Sequence, residues 1–512
     1  MPLSARSPNQ RNPDLNHMKT ITRSILAAIA LLFSVSVLAQ TSTTVSTLAG
    51  QPLSSGSSDG TGSAARFYHL TAITADNFGL IYVADTDNHT IRRIPASTGA
   101  VATLAGLAGS SGSADGTGSA ARFNSPSGVA LDTAGNIYVA DTLNHTLRKV
   151  TWDGVVSTYV GSTGTAGSVD GLGSTARFNR PQGVAIDGNN SLYVADTNNH
   201  TIRKVVLSTG VVTTVAGLAG SSGSIDGFGS VARFTFPSGV AVDSAGTLYV
   251  ADTENHTIRA IQPSGMVSTL AGLAGSAGDA DGTGSTARFD SPTDLAVDLS
   301  GNVYVADTDN CTIRKIVPST GAVSTLAGLA GTSGSADGSG SAVRFFRPTG
   351  IAVDADITLY VADTNNHTVR VGLVPALPVI RIQPAGGPVY SGFCFLLSVT
   401  ASGRPAVTYQ WYLNGTAISG ATSSMYSGVA KSSDAGQYTV VVSNTLGSVT
   451  SNVATLSVDS STPPSGWAGL DLGGMGGGAP SEWFYGVLLL IAAGRLFQGR
   501  AKVAGRAAHS SG

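Results

Sequence analysis

Apolar and polar positions in this chain follow two periods at once. Over short spans they alternate or form brief apolar runs bounded by Gly, Asn, Asp and Ser. That is the pattern of β-strands joined by tight turns, and it carries no helical period. Over the whole chain the same segment returns. The phrase YVADT-x-N-x-T starts at Tyr82, Tyr138, Tyr193, Tyr249, Tyr304 and Tyr360, at intervals of 55 or 56 residues. A stride that regular means one supersecondary unit packed against copies of itself.

One unit reads as four short strands. Residues 128–132 form the first, 137–141 the second, 146–150 the third and 155–160 the fourth, with turns at 133–136, 142–145 and 152–154. Strand one is small in most copies (Gly128-Val129-Ala130, Gly183-Val184-Ala185, Gly239-Val240-Ala241), and strand two is apolar on both faces. Small residues suit an innermost strand near a shared axis, and two apolar faces suit a sheet between two neighbours. The expectation is an all-β chain with a six-bladed β-propeller of four antiparallel strands per blade; a parallel β-helix has far shorter coils. A V-x-T-hydrophobic outer strand also occurs six times, but its first copy, at Val45, precedes blade one and none follows blade six. Residues 44–49 are therefore expected to close the last blade and remove the open edge.

These residues resemble the NHL-repeat propellers over residues 44–372, through Gly-hydrophobic-Ala-hydrophobic-Asp, degenerate in blade one, followed by YVAD and an Asn-centred turn. Residues 378–458 read as a small β-sandwich. There Trp411 and the Asp434-Ala435-Gly436-Gln437-Tyr438 segment resemble an immunoglobulin-like domain. The resemblance places Val399 and Val440 where that family has bridging cysteines, which implies an apolar pair there and leaves Cys394 out of register.

Both termini look like addresses. Residues 1–39 read as a leader and signal peptide: Lys19 and Arg23 precede an apolar run from Ile25 to Leu38, and cleavage is placed before Gln40. A Gly/Ser/Pro linker at 459–481 leads to an apolar anchor with a basic tail at 482–506. That layout resembles bacterial C-terminal sorting signals of the GlyGly-CTERM and PEP-CTERM type, without a clean Pro-Glu-Pro. The expected location is the cell envelope or cell surface, anchored by this segment or released after processing. Its twelve apolar residues, Trp483 to Gly494, are short for a transmembrane helix, though Arg495 can extend the span by snorkelling.

Net charge is −2 and charged residues are only 12% of the 512, with no basic block in the body of the protein, so nucleic acid is not an expected partner. Two cysteines, Cys311 and Cys394, make no disulfide framework.

The connection after each fourth strand is long (residues 107–125 in one copy) and is expected to crowd one mouth of the propeller, on the same face as the turn after strand two. Each carries Asp-Gly-x-Gly and then Ala-Arg-Phe or a variant. The ligand-face candidates are Asp115, Arg122, Asp170, Arg177, Asp226, Arg233, Asp281, Arg288, Asp337 and Arg344, with Asp59 the blade-one copy. The arginines are read as ties to neighbouring carboxylates. Calcium at the aspartates is a weaker alternative, because one carboxylate per loop is thin for six to eight oxygens; no cofactor is expected. Asp85, Asp141, Asp196, Asp252, Asp307 and Asp363 should accept backbone N–H bonds in the turn. His89, His145, His200, His256 and His367, with Cys311 as the sixth, are read as turn residues, because points on a six-fold ring lie too far apart to share a metal ligated at about 2 Å. Asn-x-Thr recurs in the same turn and is read as turn chemistry, not as a glycosylation signal.

The function expected is binding or scaffolding at the cell surface by a monomer, with a protein or polysaccharide ligand. The alternatives are a secreted lyase- or lactonase-type enzyme with an axial metal, and a purely structural envelope component. Against the enzyme, strand one offers only Asp294 where most other copies have Gly, and this is read as a tolerated variant.

Overall fold

A computed structural model describes residues 42–76 and 78–461. The leader, most of the linker and the apolar segment with its basic tail lie outside the described residues. Among those described, no helix is long and apolar enough to cross a membrane.

The chain is all-β. Residues 44–373 form six antiparallel sheets, each laid out like blade two. Pro126–Leu131 is innermost, followed outward by Ile137–Asp141, Thr146–Val150 and Val155–Gly161. Neighbouring inner strands pack on one another from blade one round to blade six and back. A Cβ added at Gly128 would lie 2.0 Å from the Gln182 carbonyl oxygen of the next blade, and one at Gly183 2.3 Å from that of Ser238. In these blades a side chain would collide with the neighbouring backbone, which is why strand one is small there.

Thr44–Ala49 pairs with Thr368–Leu373 and supplies the outer strand of blade six, with Ser46 opposite Val371 and Thr47 opposite Arg370. The ring is closed by a strand that precedes blade one in sequence. The cores lie between the blades: Tyr138, Ala140 and Leu147 of blade two, for example, pack on Phe178, Val184, Leu192 and Val194 of blade three.

Each sheet has a fifth strand that the sequence pattern did not show. The long connection is a strap with structure of its own. In blade two, Gly116–Thr117 pairs with Val155 and Val156 on the outer edge and is followed by a 3-10 turn at Gly118–Ala120.

The immunoglobulin-like domain is a small β-sandwich. Cys394–Ser398 pairs with Met425–Val429, and Gly387–Tyr390 runs parallel to Ala454–Asp459. Trp411 and Tyr438 are fully buried, and the Tyr438 hydroxyl donates to the Asp434 carbonyl at 2.8 Å, making the tyrosine corner. Val399 and Val440 are both buried, while Cys394 is exposed.

Candidate functional site

The largest polar assembly is a clasp repeated in all six blades. In blade two it centres on Arg148, a fully buried residue on the third strand next to a register shift at Leu147/Arg148. The extra residue at that shift is Tyr159 of the fourth strand. One guanidinium nitrogen donates to buried Asp141 at 2.8 Å, and the other donates to Asp115 of the strap at 2.6 Å. The guanidinium lies 5.3 Å from the centre of the Phe123 ring. Asp141 also accepts from Asn144 and from the Asn124 amide, each at 2.7 Å.

Arg92, Arg203, Arg259, Arg314 and Arg370 repeat the arrangement. Each reaches its buried aspartate (Asp85, Asp196, Asp252, Asp307, Asp363) and its strap aspartate (Asp59, Asp170, Asp226, Asp281, Asp337) at 2.6–2.8 Å. Burial pushes the six interior carboxyls up to about 6, against the pull of the guanidinium and the donated hydrogen bonds. On Asp59 and Asp115 burial acts the same way but is outweighed by hydrogen bonds from Thr103 or Thr158 and from the arginine, so both carboxyls fall below their ordinary value. Thr47 of the closing strand donates to Asp337 at 3.0 Å and completes the sixth clasp.

Several expectations are corrected. The strap runs down the outer edge of the blade: the Gly118 amide donates to the carbonyl of Gly154, at the turn between strands three and four. Only its ends return to the face of the second-strand turn, as where the Gly109 amide donates to the Asn88 carbonyl. Asp115, Asp170, Asp226, Asp281 and Asp337 therefore stand on the perimeter, half-exposed, not around the axial mouth. The strap arginines hold no carboxylate. Arg122 donates to the carbonyls of Ser119 and Ala121 at 2.6 and 2.7 Å, and Arg177, Arg233, Arg288 and Arg344 bond equivalent carbonyls. The carboxylate ties come from the strand-three arginines. Their signal was in the sequence as six Thr-x-Arg segments right after the turn, from Thr90-Ile91-Arg92 to Thr368-Val369-Arg370. The amides bound by the interior aspartates also come from the strap, 17 residues earlier, and not from the turn.

The turn histidines join adjacent blades. Each has left-handed backbone, with φ between 56° and 59°. Nδ1 of His89 accepts the Ser125 amide of the next blade at 3.1 Å; His145, His200, His256 and His367 accept from Arg180, Phe236, Ser291 and His69. Burial lowers the pKa of His89, His145, His200 and His367, which fits an acceptor Nδ1. Cys311 takes the sixth place with φ 56°. The Asn-x-Thr asparagines are buried, with Nδ2 of Asn88 held by Asp85 and the Gly56 carbonyl.

The axis differs. A cavity of about 320 Å³ opens at the start of the inner strands. A second, of about 270 Å³, lies at their far ends among apolar residues, and Asp294 lines both. Hydroxyls ring the first cavity. Thr349 donates to the Thr71 carbonyl at 3.1 Å, Thr71 to Ser127 at 3.3 Å, Ser238 to Thr293 at 2.7 Å and Thr293 to Thr349 at 2.9 Å. Blade three breaks the ring with Gln182. Blade five keeps its ring hydroxyl, Thr293, but follows it with Asp294 where four blades have Gly; Asp294 accepts the Ile351 amide at 3.0 Å and is pushed up to about 7 by burial, against the pull of that amide and of Leu295. No group of three or more His, Cys, Asp or Glu suited to a metal occurs among the described residues. One carboxylate and one amide among neutral hydroxyls are too few charged or strong ligands for an axial metal centre.

NHL repeats match at residues 123–150, 178–205, 234–261, 289–316 and 345–371. NHL repeats thus occur in five of the six blades, the second to the sixth. An immunoglobulin domain matches residues 381–458. NHL repeat-containing protein 2 of Bos taurus is 31% identical over 361 residues, covering 62% of this chain and 49% of that protein. The chain thus spans about half the length of that relative. Among solved structures, a Bacteroides thetaiotaomicron protein of unknown function aligns with a TM-score of 0.51 at 22% identity, covering 64% of this chain and 75% of that one. An auxiliary nutrient binding protein from Bacteroides ovatus aligns with a TM-score of 0.50 at 17% identity, covering 65% and 77%. At these identities the structures speak for the fold alone.

Proposed function

We propose that this chain is an exported binding or scaffold protein. It is held at the cell surface by its C-terminal segment or released after processing, and it offers the propeller to a protein or polysaccharide ligand. The observation that carries this reading is a break in the perimeter. The straps of blades three and four expose Val169, Leu172, Ile225, Phe228 and Val231, each 57–60% accessible. At the same places blades one and two carry Ser58, Thr61 and Ala64, and Ala114, Thr117 and Ala120. Large apolar side chains gathered on two adjacent straps of a polar repeat are a recognition feature. They stand beside the half-exposed carboxylates of Asp170 and Asp226, on straps the clasps hold rigid, so little ordering cost falls on binding.

The test is a ligand screen with the full chain against envelope polysaccharides and surface proteins, repeated with a Leu172→Thr, Phe228→Thr double variant. Blades one and two already carry Thr at this position, so the fold is retained. The expected result is at least a tenfold loss of affinity for whatever the wild type captures. Undiminished binding would remove the perimeter from the account.

A further inference from the structure

Carboxylates inside the propeller differ in their partners; Asp298, for example, is buried and accepts from Asn302 Nδ2 and the Tyr304 hydroxyl. Each interior aspartate of the clasps faces a guanidinium at 2.6–2.8 Å. Asp294 lies among the inner strands, part-exposed where it borders the cavity, and accepts the backbone amides of Ile351, at 3.0 Å, and Leu295. A carboxylate taken out of water without a counter-charge is costly. Here it borders a cavity of about 320 Å³ with room for a small molecule.

We infer that the axial cavity is a binding site for a small organic cation, a primary alkylammonium whose charge pairs with Asp294. The lining selects that class. An ammonium donates three hydrogen bonds, and the cavity offers the Asp294 carboxylate, the Gln182 side-chain amide and the hydroxyl oxygens of Ser127 and Thr293, which keep lone pairs after donating. The remaining wall is largely carbon, with Ala72 and Val184 among it, and suits an alkyl stem. A bare metal ion is disfavoured by the single carboxylate and by a void much wider than a coordination shell. This site is separate from the perimeter surface, so either can fail without the other.

Charge is required of Asp294, so binding tracks its ionisation. Burial places that carboxyl at about 7. The inner strands on either side, Pro237–Val242 and Pro348–Val353, hold no titratable group. On the paired strand Val303–Asp307, Asp307 is occupied by Arg314 and Tyr304 bonds Asp298. Occupancy should rise with pH through neutrality.

The experiment titrates the full-length chain with propylammonium chloride at constant ionic strength, reading saturation-transfer NMR and thermal shift, with 1-propanol and potassium chloride as comparison solutes. Saturable binding at pH 8 is expected, weakened at least tenfold at pH 5.5 and at least tenfold in Asp294→Asn, with no saturable effect from either comparison solute. Asp294→Gly, the residue of four other blades, gives a second variant that the fold already accommodates. Absence of saturable propylammonium binding, equal binding by both variants, or an equal effect of potassium would each overturn the proposal.

Discussion

The outer edge of the propeller and its axis are built from the same six repeats and treat charge in opposite ways. At the edge every blade carries the same arginine between the same two aspartates, and the strand that precedes blade one is recruited so that the sixth copy is complete. At the axis the repeat is mostly small or hydroxylated, and two blades depart from it, at Gln182 and Asp294. Six-fold identity marks what the ring needs in order to stand. Departures at positions that tolerate Gly or Ser mark where one blade is free to differ. On this reading the clasp is scaffold and the axis is where specificity can be written.

The harshest way to break the comparison is to remove the closing strand. Deleting residues 41–50 takes away the outer strand of blade six together with the Thr47 bond to Asp337, and it leaves the third strand of that blade as an unpaired edge. A loss well above 5 kcal/mol is expected, with unfolding no longer a single cooperative transition by calorimetry. Next comes the guanidinium itself. Arg203→Met strands Asp196 inside the blade with its charge unmatched and should cost about 3–5 kcal/mol in denaturant unfolding. Arg177→Ala, on the strap a few residues after Asp170, removes only carbonyl contacts at a half-exposed site and should cost about 1 kcal/mol or less. Equal losses from these two substitutions would collapse the distinction between clasp and strap.

That distinction also separates what could be read from the sequence from what could not. The ring, its six blades and its closure were legible because they rest on local strand patterning and on counting copies. The clasp was not, because its members lie 7 and 33 residues apart in sequence and meet only through the strap's excursion down the blade edge. Arg122 stands in a conspicuous motif and Arg148 in a plain strand, so the eye goes to the wrong arginine. The strap misled for a related reason: a two-residue strand leaves no periodicity, so Gly116-Thr117 reads as loop. Asp294 was visible as an oddity, but only the inner strands packed around it show that its carboxyl borders the cavity without a guanidinium.

Asp294→Asn sharpens the contrast by pH. The folded-state pKa of about 7 lies above the ordinary 3.8, so the folded protein holds this proton more tightly than the unfolded chain. The penalty is absent below about 4, grows between there and 7, and is full above 7. Asparagine keeps the shape and still accepts the Ile351 amide. The variant should match wild type near pH 4 and gain on the order of 1–3 kcal/mol at pH 8, read as a difference in urea midpoint. A variant that is no more stable at pH 8 would show that the carboxylate is solvated or paired in the free protein.

The smallest effect concerns the other departure. In every blade but the third, the threonine that opens the turn after strand two donates to the first inner-strand carbonyl of the next blade, as Thr142 does to Pro181 and Thr308 to Pro348, and it also pairs with a hydroxyl on its own inner strand. Blade three presents Gln182 in place of that hydroxyl, and Thr197 keeps only the bond to the carbonyl two residues back, Ala195, which Thr86, Thr142 and Thr364 make as well. Gln182→Ser supplies the missing hydroxyl, and with it a second partner for Thr197. One neutral hydrogen bond, net of its lost water contacts, is worth about 0.5–1.5 kcal/mol. The expected gain is at the lower end of that range, because glutamine already satisfies part of the site. If Gln182→Ser is instead destabilising, the glutamine is itself a member of the ring, and Asp294 becomes the single departure at the axis that structure does not require.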